Sequence, residues 1–141
     1  MHGTPRTGGD RMSTDGEKPK RGRYGHARRN PANRGQMNKL EIAYAGHLEG
    51  RKMLGEITWY EYEAMRLKLA EKSPSRPALF WSPDFALVTC TGLIELHEIK
   101  GFQDAATIAK IKVAADKFPF VFRLVTRRPK KDGGGWILEE F

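Results

Sequence analysis

Cysteine is nearly absent: Cys90 is the only one in 141 residues. An intrachain disulfide is therefore excluded, and the composition fits a reducing compartment. Cys90 itself reads as a small turn or core residue. There is no apolar run of the roughly 18 residues that a membrane-spanning helix needs, and the N-terminus has no apolar segment of the secretory kind. A soluble, cytoplasmic protein is expected, with no membrane partner. His2, His26, His47 and His97 are scattered and have no ligand spacing with Cys90, so zinc chemistry is not expected. Acidic charge is in short supply: 17 Asp and Glu stand against 25 Lys and Arg, a formal net charge of +8. With a sequence pI near 9.8, the expected partner is a polyanion, and nucleic acid is the first candidate.

Residues 1–37 have almost no aliphatic side chains to bury and are rich in Gly, Arg, Lys, Pro, Ser and Thr. Such a segment has little to bury against the entropy of ordering, and a disordered basic tail is expected. Nine Lys and Arg between Arg6 and Arg34 face only Asp10, Asp15 and Glu17, an excess of about six positive charges. The tail reads either as an arm that grips phosphates or as a solubilising extension. Residues 38–141 then form one folded domain, in which no internal repeat is visible.

That domain is organised around residues 81–102. Trp81-Ser82-Pro83-Asp84-Phe85 leads into the apolar run Ala86-Leu87-Val88, a turn at Cys90-Thr91-Gly92, and the alternating return Leu93-Ile94-Glu95-Leu96-His97-Glu98-Ile99-Lys100. This pattern predicts a β-hairpin. A three-residue loop sets Thr89 opposite Leu93, and counting back along the pair sets Asp84 opposite Glu98. Facing like charges destabilise a sheet unless something positive lies between them. Carboxylate oxygens suit Mg²⁺ or Mn²⁺. Lys100 projects to the same side as Glu98, where a lysine can stabilise charge developing on a phosphate or orient a water.

Pro83-Asp84, followed after thirteen residues by Glu98-Ile99-Lys100, resembles the signature of the PD-(D/E)XK nuclease superfamily. Its wider context, with His97-Glu98-Ile99-Lys100-Gly101 and a Lys-bearing helix beyond, is similar to small phage-encoded endonuclease-like members. The resemblance implies an α/β fold with an αβββαβ restriction-endonuclease-like core, a mixed central sheet flanked by helices. It also implies catalysis by Asp84, Glu98 and Lys100, and a Mg²⁺ (or Mn²⁺) site built from Asp84, Glu98 and the Ile99 carbonyl. Members often add a helical acid, and Glu41 is the matching position, with Glu49 in reserve. Asn38-x-x-Glu41 equally has the spacing of a capping box, in which the carboxylate serves a backbone amide.

The remaining elements are read from periodicity. Leu40, Tyr44, Leu48 and Arg51 or Leu54 predict an amphipathic helix over residues 38–54, with Asn38 as N-cap and Gly55 as stop. Residues 56–71 predict two strands or one long bent strand, whose Trp59, Tyr60 and Tyr62 either pack in the sheet or stack on bases. Residues 73–77 are a loop bordering the cleft, because two prolines break regular pairing. Asp104 starts a helix to Lys117, with Ile108, Ile111, Ala115 and Phe118 inward. The resemblance makes Lys110 and Lys112 on this helix phosphate contacts. A buried strand is predicted over 118–125, followed by a basic loop with Arg127 and Arg128, further candidates for contact with nucleic acid. Trp136-Ile137-Leu138 reads as an edge strand or a dimer contact.

These readings converge on a metal-dependent endodeoxyribonuclease of structure-selective or weak sequence preference. A homodimer is expected if two strands are cut, and the host cytoplasm is the compartment if the chain is phage-encoded. The alternative is an inactive nucleic-acid-binding module of the same fold.

Overall fold

Asn38 begins the first helix with both halves of a capping box. Its side-chain oxygen accepts from the Glu41 N–H at 2.9 Å, and Glu41 accepts from the Asn38 N–H at 2.8 Å. The computed structural model describes Gly3 and residues 35–141; the tail expected over residues 1–37 lies almost entirely outside the described residues. Helix α1, Lys39–Met53, buries Glu41, Tyr44 and Leu48. Leu54, which the periodicity placed on the apolar stripe, is instead the exposed C-cap, and Gly55 turns the chain with φ of +77°.

The strands are β1 (Ile57–Tyr62), β2 (Leu67–Ala70), β3 (Leu79–Trp81), β4 (Phe85–Thr89), β5 (Ile94–Lys100), β6 (Val121–Arg127) and β7 (Trp136–Glu140), with α2 (Ala105–Lys117) between β5 and β6. Five of them form a mixed sheet in the order β1-β4-β5-β6-β7. Only the β5–β6 pair is parallel, as the helical crossover between them requires. The fold is α/β. The expected edge strand is β7.

Residues 56–71 do not stay in one sheet. β2 leaves it and pairs antiparallel with β3, a strand the sequence reading had not assigned. The prolines at 74 and 77 shape the turn between these two strands, which the Ser73–Arg76 bridge closes, rather than forbidding pairing. Leu67 and Leu69 alternate inward and pack with Trp81, Ile111 and Ala114. Lys117 on α2 donates to the carbonyls of Lys68 and Leu69 at 3.3 and 3.2 Å.

The two sheet faces bury different cores. Ala86, Leu96, Phe122 and Leu124 pack toward α2 with Ile111 and Ala114. Tyr44 and Leu48 of α1 pack with Ile57, Phe85, Leu87, Ile99 and Val125 on the other face. Each such large side chain contributes about 1.5–3 kcal/mol by leaving water. Within the α1 face lies a chain of polar contacts. Tyr44 Oη and His97 Nδ1 are 2.7 Å apart, His97 Nε2 and Glu95 Oε2 2.8 Å, and Arg123 Nε donates to Glu95 at 3.2 Å. Burial raises the pKa of the Tyr44 phenol, so Tyr44 donates to Nδ1 and the neutral ring gives its Nε2–H to Glu95. Burial lowers the pKa of His97 despite the adjacent carboxylate.

Glu95 is held down to about 2, first by the hydrogen bond from His97 and further by Arg123, against the opposing effect of burial. A group with a depressed folded-state pKa leaves the folded protein binding fewer protons than the unfolded chain, so its stabilisation is lost as pH falls. For Glu95 that window runs from about 4.5 to about 2. The urea midpoint should drop through it in the wild type and drop less in Glu95→Gln. Parallel curves would detach this network from acid stability.

Candidate active site

Strand register places the site. Phe85 pairs with His97 and Val88 with Ile94, and one further step sets Asp84 across from Glu98, as the hairpin count requires. The turn is the expected three-residue loop: Thr89 N–H donates to the Leu93 carbonyl and Gly92 N–H to the Thr89 carbonyl, both at 2.9 Å. Gly92 takes φ of +85°, a conformation that a residue with a Cβ resists.

The Thr89–Leu93 bond marks which pairs of the ladder exchange hydrogen bonds, and alternation by two carries the series to Phe85–His97 and then to Pro83–Ile99. Pro83 has no N–H to give the Ile99 carbonyl. The ladder therefore ends at this point, and Asp84 intervenes: its Oδ2 accepts from the Ile99 N–H at 2.8 Å. The Asp84 carbonyl in turn accepts from the N–H of Glu63 at 2.8 Å, which fixes the Asp84 backbone to the end of β1.

Asp84 and Glu98 line a cavity of about 590 Å³ together with Lys100, Ile99, Glu41, Thr107 and Lys110. Both carboxylates are buried. Lys100 Nζ is 3.7 Å from Glu98 Oε1, near enough for attraction and too far for a hydrogen bond. Glu98 Oε2 is buried with no hydrogen-bond partner, an arrangement that costs stability unless something cationic or protic fills the gap. Burial, and secondarily the Asp84 carboxylate, push the Glu98 pKa up to about 8, against the pull of Lys100 and Lys110.

The remaining sequence candidates divide. Glu41 lines the same cavity and keeps its capping role, and its Oε2 also accepts from the Tyr62 hydroxyl at 2.9 Å. It arrives on α1, which covers the face opposite to that carrying Asp84 and Glu98. Among the described residues no group of three or more Asp, Glu, His or Cys could hold a metal ion. Glu49 is engaged at the surface by the Tyr60 hydroxyl at 2.7 Å, away from the cavity. Lys110 faces the cavity. Lys112, two residues and about 200° further round α2, is exposed outside it. Arg127 and Arg128 are exposed where β6 ends, and the Arg127 guanidinium lies 5.3 Å from the centre of the Trp136 ring. The loop at 73–77 does not line the cavity, whereas Trp81 and Ser82 do.

Tyr62 was expected to pack in the sheet or to stack on bases, while Thr107 and Met37 carried no expectation. Tyr62 holds Glu41, and its ring packs on Phe85 at 5.4 Å, so it is a packing and orienting residue in this fold. Thr107 lies one turn before Lys110 and is buried at the wall, donating to the capping Asp104 at 2.7 Å. Its spacing from Lys110 was visible, but a threonine in a first helical turn ordinarily reads as part of a cap. Met37 completes the rim ahead of α1. No family model matches the chain, and no curated protein matches it.

The donor set fits a divalent cation. Two buried carboxylates face each other, one with an unpartnered oxygen, next to a carbonyl whose neighbour across the ladder is a proline. In the metal-free protein the raised Glu98 pKa has a definite sign. Between about 4.5 and about 8 the folded state binds more protons than the unfolded chain, so stability declines as pH rises through that window. Glu98→Gln removes this dependence. Its advantage over the wild type should grow across the window to roughly 2–4 kcal/mol in chelator, and a difference constant with pH would contradict the pairing of the two carboxylates.

Proposed function

We propose that the protein is a metal-dependent endodeoxyribonuclease of the PD-(D/E)XK type, with the αβββαβ core formed by α1, β1, β4, β5, α2 and β6. The observation that carries this reading is the facing pair Asp84 and Glu98, buried with one unpartnered oxygen and with Lys100 beside it. A sheet without a ligand at this point gains nothing from two facing carboxylates. The β2–β3 hairpin is then an insertion between the first two core strands, and β7 an added edge.

Asp84, Glu98 and the Ile99 carbonyl would hold Mg²⁺ or Mn²⁺. The bound ion supplies polarisation of the scissile phosphate and a lower pKa for the attacking water. The residues do the rest. Asp84 is already oriented by the Ile99 N–H, so one of its oxygens is fixed while the pair faces the cavity. Lys100, half-exposed at the mouth, meets the phosphate and stabilises the charge that develops on its oxygens. Lys110 lies on the facing helix and attracts the adjoining backbone phosphate. Glu41 adds negative charge from the opposite wall while remaining the cap of α1.

Arg127 and Arg128 extend the cationic surface beyond the cavity, at the end of the sheet where β5 and β6 both finish. DNA is the expected substrate. The described residues form one small α/β unit with no separate reading module among them, and recognition of DNA shape or of weak sequence features is the reading we favour.

The test is cleavage of labelled linear, nicked, forked and four-way DNA with Mg²⁺, Mn²⁺ or chelator. Cutting should require the metal and fall about a hundredfold or more in Asp84→Ala and in Lys100→Ala. DNA bound equally by all three proteins and cut by none would replace this reading with that of a binding module.

A further inference from the structure

Lys100 is followed by a four-residue connection to α2, Gly101-Phe102-Gln103-Asp104. Phe102 is 74% exposed, the most exposed aromatic ring among the described residues. A phenylalanine held in water forgoes the burial that normally places it in a core. Its position is constrained on both sides. Lys100 is fixed in β5 against Thr126 of β6, Gln103 donates to Glu139 of β7 at 2.9 Å, and Asp104 caps α2 through the Thr107 N–H at 2.8 Å. The ring thus stands at a pinned turn, one residue beyond the Gly101 that lines the carboxylate cavity.

The end of the sheet at which it stands carries an excess of cations, with Asp104 and the Glu139 held by Gln103 as acids at the same turn. Because β5 and β6 are parallel, the turn carrying Phe102 and the turn carrying Arg127, Arg128, Lys130 and Lys131 leave the sheet at the same end. All four of those cations are exposed, and among the described residues the ion pairs involve other side chains. An exposed ring two residues beyond a candidate catalytic lysine, at the same end of the sheet as four cations outside the ion pairs of the described residues, matches the needs of a strand whose bases are unstacked. The cations hold phosphates, and the ring takes the face of a base.

We propose that Phe102 is a specificity-determining residue, stacking on an unpaired base next to the scissile phosphate, so that the enzyme prefers DNA opened at a branch or a single-stranded junction over continuous duplex. This rests on the nuclease reading and names the substrate class of the same site. In continuous duplex both faces of every internal base are already stacked on neighbours, and the ring has nothing to receive it.

The experiment uses the full chain with Ca²⁺ in place of Mg²⁺, and compares a labelled forked DNA carrying 2-aminopurine at the unpaired branch position with a continuous duplex of the same sequence. The wild type should bind the fork about tenfold more tightly than the duplex and change the 2-aminopurine emission on binding. Phe102→Ala should lose both the preference and the emission change, and Phe102→Trp should keep them. The thermal midpoints of both variants should stay close to that of the wild type, since the ring is mostly exposed.

If Phe102→Ala keeps the preference and the emission change while still cutting DNA with Mg²⁺, the role of Phe102 is overturned and the nuclease reading stands. If the wild type neither binds nor cuts any DNA, both fall. Dissociation of a dimer by Phe102→Ala, with fork preference intact, would overturn the proposal and reassign the ring to a contact between copies.

Discussion

The hydrogen bond from the Ile99 N–H to the Asp84 carboxylate, 2.8 Å long, is the contact on which the rest of the site depends. It stands at the end of the β4–β5 ladder, where Pro83 leaves the Ile99 carbonyl without a backbone donor and the Ile99 N–H turns to a carboxylate. A side chain takes over from the backbone, and by doing so it is locked in place. Glu98 then has a negative neighbour at a fixed position, Lys100 projects from the same face, and the cavity between the end of the sheet and α2 acquires its electrostatic character. A register slip of one residue in this hairpin would turn all of these groups to the opposite face.

β5 therefore carries two polar arrangements back to back, and they behave differently. On the α1 face, Tyr44, His97, Glu95 and Arg123 satisfy one another, a closed network that binds helix to sheet. On the α2 face, Glu98 keeps a buried oxygen without a partner and a carboxylate for a neighbour. A half-satisfied buried polar group is a local violation of the rules that the rest of the fold obeys, and such violations concentrate at functional sites. The closed network offsets part of what the open one costs, since it ties α1 down across the same strand that holds Glu98.

What could be read from the sequence was what local periodicity and turn chemistry control. Asn38 with Glu41, Asp104 before its helix, and Gly92 in the loop each carry a short-range signal, and the Asp84–Glu98 juxtaposition followed from counting along a hairpin. The departures came from long-range choices. Leu67 and Leu69 alternate as a strand in any sheet, and nothing local says that they pair with Leu79–Trp81 instead of joining β1. Glu41 had two readings at one spacing: the structure shows the cap, and it also sets Glu41 on the wall of the cavity that Asp84 and Glu98 line. Lys110 and Lys112 look alike in sequence, but helix rotation turns one into the cavity and the other to solvent. The place of His97 in the buried network carried no local signal, because its partner Tyr44 lies 53 positions away.

The most direct test of the account is whether the Asp84–Glu98 pair binds a divalent cation, independent of any cleavage. Titration of ¹⁵N-labelled protein with substoichiometric Mn²⁺ should broaden the amide resonances of Asp84, Glu98, Ile99 and Lys100 first, and Asp84→Ala should abolish that pattern while leaving the rest of the spectrum in place. Broadening centred on another part of the surface, or unchanged by Asp84→Ala, would contradict the central claim and leave the two carboxylates as a costly structural pair.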